Sequence, residues 1–424
     1  MHLTVSRWPF DPPNLRLPED NERWWDECYL PHAVQNLLET RARWCILLGA
    51  YQSGKSTALD ALRRKMEGIA LVIEDDSLVK QDAPEGNILH RILSRASLTL
   101  RQNLIEAPAK ISLLSQTQLE FLRWSVEKFH GHRAFMRWLD GLPQEFSQSL
   151  YAIPFEDLYP SPTSDVQGQI EELTNLSARL GYQQTLALID CPPFPTTEQE
   201  QEIQHILGWL EPMQHKLKGI MALPPHYTPQ KIKELCRGRA DVFELEPDFN
   251  YNREVISRHL TAATDGAIQK LEQIGSPKLI SQLRNFIQDE FYAPAIGAWI
   301  KVIDIILHEM RAEASFPLTI DSLPKIISSY YSRFASLRLG PAHANLGVWR
   351  GYKWIPLDRA LYEFLVLLIR YKGKHITHEI SQTSKGNLHT LARRLRVAIE
   401  PDPTYPIFLH NSKGEGYWIE KNVL

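Results

Sequence analysis

The strongest constraint on the fold is a glycine-rich segment near the start of the chain. It fits the pattern G-x-x-x-x-G-K-[ST] and reads Gly49-Ala50-Tyr51-Gln52-Ser53-Gly54-Lys55-Ser56-Thr57. An apolar run typical of a buried strand precedes it at residues 44–48, and apolar residues at helical spacing follow it. A loop in this position points backbone N–H groups and a helix N-terminus at negative charge. The segment therefore predicts a loop that holds the phosphates of a nucleotide.

Particular residues of this loop have expected roles. We expect Lys55 to reach the β- and γ-phosphates of ATP, and the Ser56 hydroxyl to bind Mg²⁺. Lys55 is therefore also a predicted catalytic residue. The predicted nucleotide-binding residues of the loop are Gly49, Gln52, Ser53, Gly54, Lys55, Ser56 and Thr57.

Five short apolar runs, separated by helical patterns, predict an α/β fold with a parallel sheet. The expected strands are residues 44–48, 69–73, 185–189, 219–223 and 241–245. We predict a P-loop ATPase domain over residues 41–248, with a helical insertion at about 85–180 whose aromatic residues form a core. A lead-in rich in proline and tryptophan occupies residues 1–40. The pattern is helical from Asn252 to Arg338 and predicts an all-α lid over residues 249–340, with a boundary at Gly340-Pro341.

A phosphate-binding loop needs an acidic residue at the end of a neighbouring strand to orient Mg²⁺ through water. The run Leu186-Ala187-Leu188-Ile189-Asp190 ends in such a residue, so Asp190 is the predicted Walker B residue, a metal ligand and a catalytic residue. Asp75 and Asp76 are the rival candidates after the second strand. That strand is remote from Mg²⁺ in the usual strand order of such ATPases, so we expect these two to be solvated or to cap a helix.

The residues after Asp190 predict slow hydrolysis. P-loop ATPases often carry a glutamate directly after this aspartate, as the base that polarises the attacking water. Here Cys191-Pro192-Pro193 follows, and neither a thiol nor a proline accepts a proton readily at neutral pH. Hydrolysis would therefore need a carboxylate from elsewhere or a partner subunit.

The order of these features resembles AAA+ and STAND signal-transduction ATPases over roughly residues 25–300. The resemblance rests on the loop, Asp190, the later run Phe243-Glu244-Leu245-Glu246-Pro247 and the helical stretch after it. It implies that Tyr29 and Pro31 lie on the adenine side of the nucleotide. It also implies that Pro277, in Ile274-Gly275-Ser276-Pro277, packs near the adenine, although a simple helix boundary explains that motif about as well.

Two further features bear on the resemblance. The fourth strand ends in Leu223-Pro224-Pro225, where these families place a polar or arginine sensor. Arg237 and Arg239 are candidates for an arginine finger by position only, with ordinary surface charge as the alternative. These features favour a nucleotide-controlled conformational switch over a motor.

Residues 342–424 predict a winged helix-turn-helix domain. A hairpin with its turn at Gly351 comes first, followed by a helix with Leu361, Phe364, Leu365 and Leu368 on one face. A short helix over residues 377–382 and a third helix over 387–400 follow. Two strands, 407–410 and 417–420, close the domain. In a winged helix the third helix is presented to the DNA major groove.

This segment resembles the OmpR-type output domain of response regulators over about residues 346–420. The similarity rests on the run Leu391-Ala392-Arg393-Arg394-Leu395-Arg396 and on Lys413-Gly414-Glu415-Gly416-Tyr417. It implies binding of double-stranded DNA through the third helix and the wing. The predicted DNA-binding residues are His389, Arg393, Arg394, Arg396 and Lys413. The loop before the third helix is shorter than in that family, which puts any polymerase contact in doubt. A winged helix that docks a protein is the alternative.

Charge and composition agree with this organisation. The chain has a net charge of −3, but residues 342–424 carry 12 Lys and Arg against 7 Asp and Glu. A basic end on an acidic body favours an anionic partner there. Scattered cysteines, a polar N-terminal segment and the absence of a long apolar run predict a cytoplasmic protein with no membrane partner.

The features together predict an ATP-binding, nucleotide-switched DNA-binding regulator that forms nucleotide-dependent homo-oligomers. Two alternatives stay open. One is an ATP-driven accessory ATPase for DNA transactions or defence. The other is a STAND sensor whose winged helix binds a protein effector.

Overall fold

The computed structural model describes residues 27–28, 37, 43–75, 88–153, 165–210, 217–246, 248–291, 293–313, 317–334, 337–340, 346–381, 385–412 and 414–420. The chain divides into two units. The sheet unit comprises Pro31–Ala50 and Gly54–Glu246. The C-terminal unit comprises Met1–Leu30, Tyr51–Ser53 and Pro247–Leu424. Three residues of the predicted phosphate loop therefore group with the C-terminal unit.

The sheet unit is built on a five-stranded, all-parallel sheet in the order β2-β3-β4-β1-β5. The strands are β1 (Trp44–Gly49), β2 (Ala70–Asp75), β3 (Gln184–Asp190), β4 (Leu217–Ala222) and β5 (Ala240–Leu245). All five predicted strands are confirmed, with bounds that shift by one or two residues. Strand β4 lies between β1 and β3, so the expectation that Asp190 ends a strand next to β1 was wrong.

Helices connect these parallel strands, as the sequence pattern predicts. They include α1 (Lys55–Met66), which follows β1 directly, and the later helices α7 (Thr197–Trp209) and α8 (Pro229–Cys236). The first five residues of β1 are all buried, which is typical of a strand covered on both faces. The chain runs from β1 to one edge of the sheet and later returns to β5 on the other side of β1. This reversal puts the end of β1 at a topological switch point, where ligands of open α/β sheets bind.

The insertion between β2 and β3 is helical, as predicted. Its helices are α2 (Ile88–Glu106), α3 (Gln116–His130), α4 (His132–Asp140), α5 (Gln144–Tyr151) and α6 (Val166–Arg179). Helix α3 begins with a capping box between Ser115 and Gln118. The hydrophobic cluster of the sheet unit buries four large aromatic side chains of the insertion, Phe121, Trp124, Phe135 and Trp138, and Phe129 packs against it partly buried, which confirms the expected core role. Tyr151 instead exposes 60% of its surface.

The longest segment of the C-terminal unit, from Pro247 onward, starts with helices. They are α9 (Phe249–Ala263), α10 (Pro277–Phe291), α11 (Ile296–Glu313) and α12 (Leu323–Phe334). The helical pattern was expected to continue to residue 338, but Leu337–Leu339 forms strand β6 instead. It pairs antiparallel with the strand that follows, so its conformation depends on a partner about ten residues further on.

The rest of this unit alternates strands and helices. It contains β7 (Gly347–Arg350), β8 (Lys353–Pro356), α13 (Arg359–Arg370), α14 (Lys385–Ile399), β9 (Leu409–Ser412) and β10 (Gly416–Ile419). The predicted hairpin turns at Gly351, and the predicted face of α13 is buried. The short helix expected at 377–382 is only a hydrogen-bonded turn up to residue 381, where Ser381 N–H donates to the Thr377 carbonyl. One turn alone does not repay the cost of helix nucleation.

A single hydrophobic cluster in this unit draws on residues from Val255 to Ile419. The side chains on both sides of the predicted boundary at Gly340-Pro341 contribute to it. The boundary between a lid and a separate C-terminal domain stays a prediction.

Candidate functional site

The predicted phosphate loop joins the end of β1 to the start of α1. Gly49 is the last residue of β1, and Gly54 is the N-cap of α1 with φ of 97°, a left-handed conformation that favours glycine. The Lys55 Nζ donates to the carbonyl oxygens of Gly49 at 2.7 Å and Ala50 at 3.0 Å. The Lys55 ammonium group is thus hydrogen-bonded to the first two residues of its own loop. Ser56 and Thr57 follow in the first turn of α1, and Ser56 is exposed.

Burial and nearby charge set the protonation of Lys55. Burial lowers the pKa of Lys55 to about 8, and the negative charge of Asp190 acts in the opposite direction. The effect of Asp190 means that the end of β3 lies within electrostatic range of this lysine. Lys55 remains mostly protonated at pH 7 and can therefore bind an anion.

The two rival acidic positions differ in their surroundings. Asp190 is half-buried at the carboxyl end of β3. Asp75 ends β2, the edge strand beyond β3, with 2% of its surface exposed and its Oδ1 4.0 Å from the Arg95 Nε. The expectation of a solvated or capping Asp75 was therefore wrong, because the strand continues through residue 75 and Arg95 lies against the carboxylate. Asp76 lies outside the described residues.

Sequence reasoning missed a polar cluster next to this edge of the sheet. The Tyr227 hydroxyl donates to Glu200 Oε1 at 2.8 Å, and the His226 Nε2 is 3.0 Å from Glu200 Oε2. Burial raises the pKa of Glu200, but the hydrogen bonds from Tyr227 and His226 outweigh it and the pKa falls below its usual range. Glu200 also acts electrostatically on Cys191. His226 directly follows Pro224-Pro225, the segment in which the sequence indicated no polar sensor. No local pattern predicts its contact with Glu200, because the two residues are 26 positions apart in the sequence.

The residue after Asp190 cannot act as a base. Cys191 is buried, and burial raises its pKa well above the ordinary value for a thiol. The thiol therefore stays protonated at neutral pH. The prediction of slow hydrolysis is not tested by this observation, but its premise about Cys191 holds.

The other residues predicted to lie near the nucleotide are Tyr29, Pro31, Pro277 and the two arginine-finger candidates. Tyr29 and Pro31 lie outside the described residues. Pro277 is exposed and is the first residue of α10, where the Ser276 Oγ accepts from the Leu279 N–H at 3.4 Å. Proline at this position is typical of a helix start. Arg237 and Arg239 are both exposed at the end of α8.

The predicted DNA-binding residues of α14 have different environments. Arg393 is exposed, whereas the Arg394 guanidinium is 2.5 Å from Asp358 Oδ2. The Arg396 Nη2 donates to the Leu409 carbonyl at 2.9 Å, which links α14 to β9. The His389 Nδ1 is hydrogen-bonded to the Tyr417 hydroxyl at 2.5 Å. Lys413 falls in a gap between the described residues.

Comparison with known proteins adds no relative. No known protein family matches the chain, and a search of curated proteins found no similar sequence. Within the described ranges, no helix has both the length and the apolar character needed to cross a bilayer.

Proposed function

We propose that this chain binds ATP and Mg²⁺ at the loop between β1 and α1, and that the bound nucleotide controls DNA binding by the C-terminal residues. The observation that carries the proposal is Lys55. It is held by two loop carbonyls at the carboxyl edge of a parallel sheet, with Asp190 close enough to favour its charge. In the same proposal the chain is an AAA+- or STAND-like ATPase with a helical lid over residues 249–340 and a winged helix over 342–424.

The side chains of the loop suit a triphosphate. The Ser53 hydroxyl is buried and has no hydrogen-bond partner among the residues that the structure describes, so a phosphate oxygen would satisfy it. Lys55 would exchange its two carbonyl contacts for phosphate oxygens. Mg²⁺, when bound, supplies positive charge beside the phosphates. Ser56 would hold the ion directly, and Asp190 would orient it through water.

A switch suits the chemistry better than a fast enzyme does. A base must accept a proton from the attacking water, and the buried Cys191 thiol keeps its own proton at neutral pH. Slow hydrolysis prolongs the ATP-bound state. Such a state can then control assembly, and a homo-oligomer would present several copies of α14 to one duplex, which raises affinity through avidity. We also propose a cytoplasmic location, because the scattered cysteines suit a reducing compartment.

DNA binding is the proposed output because α14 presents an exposed arginine on a module closed by a hairpin. Arg393 is free of the intramolecular contacts that Arg394 and Arg396 make with Asp358 and Leu409. Arginine binds phosphates and guanine edges well because its guanidinium donates two parallel hydrogen bonds.

One observation supports a second candidate function, docking of a protein effector. Val397 lies one turn beyond Arg393 and exposes 62% of its surface. With two of the three arginines already engaged, this face of α14 is less basic than the sequence indicates. Capture of one protein partner, together with no binding of duplex DNA, would favour the effector.

The nucleotide half of the proposal is tested by Lys55→Ala, with Lys65→Ala as the matched control. Lys65 is exposed at the far end of the same helix. Loss of a charged hydrogen bond of about 1.5–3 kcal/mol predicts ATP·Mg²⁺ binding weaker by about 10–150-fold for Lys55→Ala and unchanged for Lys65→Ala. The measurement is calorimetric titration with ATP and Mg²⁺. Equal affinities for wild type and Lys55→Ala would remove the proposal.

A further inference from the structure

The middle of the predicted phosphate loop is built into the C-terminal unit. The carbonyl of Gln52 accepts a hydrogen bond from the Gly297 N–H at 3.0 Å, at the start of α11. The two residues are in close contact, because a Cβ on Gly297 would lie 3.0 Å from the Gln52 Cβ. Gly297 is therefore small where the loop backbone approaches the helix.

Gln52 is held in an unfavourable state in this position. Its φ is 57°, in the left-handed region that side-chain-bearing residues rarely adopt. Its side chain lies beside the Tyr330 hydroxyl, but its buried amide atoms make no hydrogen bond of good geometry among the residues described. Strain of this kind persists only when the surroundings enforce it, and it marks positions that change with function.

Tyr51 makes the second contact. Its ring centroid lies 4.6 Å from that of Tyr352, in the turn between β7 and β8, and Tyr352 in turn lies 5.3 Å from Phe291. Burial raises the pKa of Tyr51 to about 12, so its hydroxyl is neutral. Arg338 of β6 donates to the Gly351 carbonyl in the same turn at 3.3 Å.

The β7–β8 hairpin also contacts α14, the helix that contains Arg393. Arg350, the last residue of β7, donates to the Ile399 carbonyl at the end of α14 at 3.3 Å. It also donates to Glu290 of α10 at 3.2 Å. Tyr51 therefore contacts one residue of the β7–β8 hairpin, Tyr352, and another residue of the same hairpin, Arg350, contacts the end of α14.

We propose that Tyr51 and Gln52 are the coupling element between the phosphate loop and the β7–β8 hairpin. This inference rests on the proposed function, because it assumes that the loop binds a nucleotide. Phosphates draw the N–H groups of residues 52–56 toward them, and this changes the strained backbone of Gln52. The change is transmitted to Gly297 and to the Tyr51–Tyr352 ring contact. Coupling of this kind is reciprocal, so DNA on α14 would also alter nucleotide affinity.

Gly297→Ala tests this coupling with little risk to the fold, since alanine is the better residue inside a helix. Its methyl group would press on Gln52. The matched control is Gly208→Ala in α7, where an added Cβ meets nothing within 4 Å. Tyr352→Ala is the second variant and removes the ring contact with Tyr51. All are made in the full chain.

The first readout is hydrogen exchange of residues 347–356 with and without ATPγS·Mg²⁺. We expect nucleotide to change exchange in wild type and Gly208→Ala, and to have little effect in Gly297→Ala and Tyr352→Ala, although all four bind it. An equal response in all four proteins would overturn the coupling role of these residues, and so would no response in any protein that binds nucleotide.

The second readout is the affinity for random duplex DNA with and without ATPγS·Mg²⁺. We expect a ratio of about 5–150 in wild type, as for typical allosteric coupling, and a ratio within about twofold of one in Gly297→Ala and Tyr352→Ala. A wild-type ratio retained in both variants would overturn the inference and leave the proposed function intact. If nucleotide changes hydrogen exchange in the β7–β8 hairpin but the protein binds no DNA, the coupling is supported and DNA binding is removed as the proposed output.

Discussion

Lys55 is partly buried, and burial disfavours its protonated form. Nucleotide binding should therefore be sensitive to pH. Burial lowers the pKa of Lys55 to about 8 without a ligand, and bound phosphates would favour the protonated form. The lysine is protonated below this pKa and loses its proton as the pH rises through it. Binding above pH 8 must then take up a proton.

The prediction for Lys55 concerns the affinity for ATP·Mg²⁺ between about pH 7 and 9.5. We expect the Kd to be nearly constant up to about pH 7.5 and to rise toward tenfold per pH unit above about pH 8. Calorimetry in two buffers of different ionisation enthalpy at pH 8.5 should report proton uptake in wild type and in Lys65→Ala. A constant Kd with no proton uptake would contradict the placement of phosphates at Lys55.

The arginines of α14 should separate into one that binds DNA and one that stabilises the fold. Arg393 is exposed, and Arg396 holds the Leu409 carbonyl. We expect Arg393→Ala to weaken random duplex binding by about tenfold and to reduce the salt slope by about one, with the melting temperature unchanged. Arg396→Ala should lower the melting temperature instead. Fluorescence anisotropy across salt concentrations and thermal unfolding measure both, with Arg253→Ala as the control.

A melting temperature that falls for Arg393→Ala while DNA binding stays unchanged would reverse these assignments. Arg253 is a suitable control because it lies in α9, outside residues 342–424, and makes an exposed ion pair with Glu272. Its loss should change neither the salt slope nor the stability appreciably.

At the scale of elements, a buried ion pair ties β7 to α10. The Arg350 Nη2 is 3.2 Å from Glu290 Oε2, and both side chains are buried. Burial raises the pKa of Glu290, and the charge of Arg350 opposes this. A buried pair of this kind contributes little net stability, but the loss of one partner leaves a buried charge alone.

Arg350→Ala should therefore reduce the free energy of unfolding by about 3–5 kcal/mol. The cost should shrink when Glu290→Gln is added, because the second change removes the uncompensated charge. Urea unfolding of the single and double variants measures this. The control is Arg359→Ala, which removes an exposed ion pair with Glu363 and should leave the free energy of unfolding nearly unchanged. Equal costs for Arg350→Ala and Arg359→Ala would contradict the pair's structural role.

The elements that the sequence predicts well are those with their own local signal. The five sheet strands are apolar runs, and the inner face of α13 repeats at helical spacing. Strand β6 has three residues and depends on pairing with β7, so no local pattern indicates it. The turn at 377–381 has too few residues to nucleate a helix.

The candidate site was predictable only in part, for the same physical reason. The glycines, Lys55 and Asp190 follow from the motif and from the end of an apolar run. Glu200 meets His226, and Tyr51 meets Tyr352, only because the chain folds back across 26 and about 300 residues. The sequence pattern predicts an arginine on a helix but not whether a distant backbone carbonyl holds its guanidinium, as that of Leu409 holds Arg396.

In the whole molecule, the charge is unevenly distributed between an acidic body and a basic C-terminal end. Residues 342–424 carry a net charge of +5 within a chain of net −3. One copy of so modest a charge would bind DNA weakly and with a clear salt dependence. A nucleotide-dependent oligomer would increase affinity without any new contact to DNA, because several copies act together.

The most direct test of this account is the affinity of the full chain for random duplex DNA, measured with and without saturating ATPγS·Mg²⁺. We expect DNA binding that is tighter with nucleotide by about 5–150-fold in wild type, and a response of Lys55→Ala that requires about 10–150-fold more nucleotide. A wild-type protein that binds the nucleotide yet holds DNA with the same affinity in both conditions would contradict it.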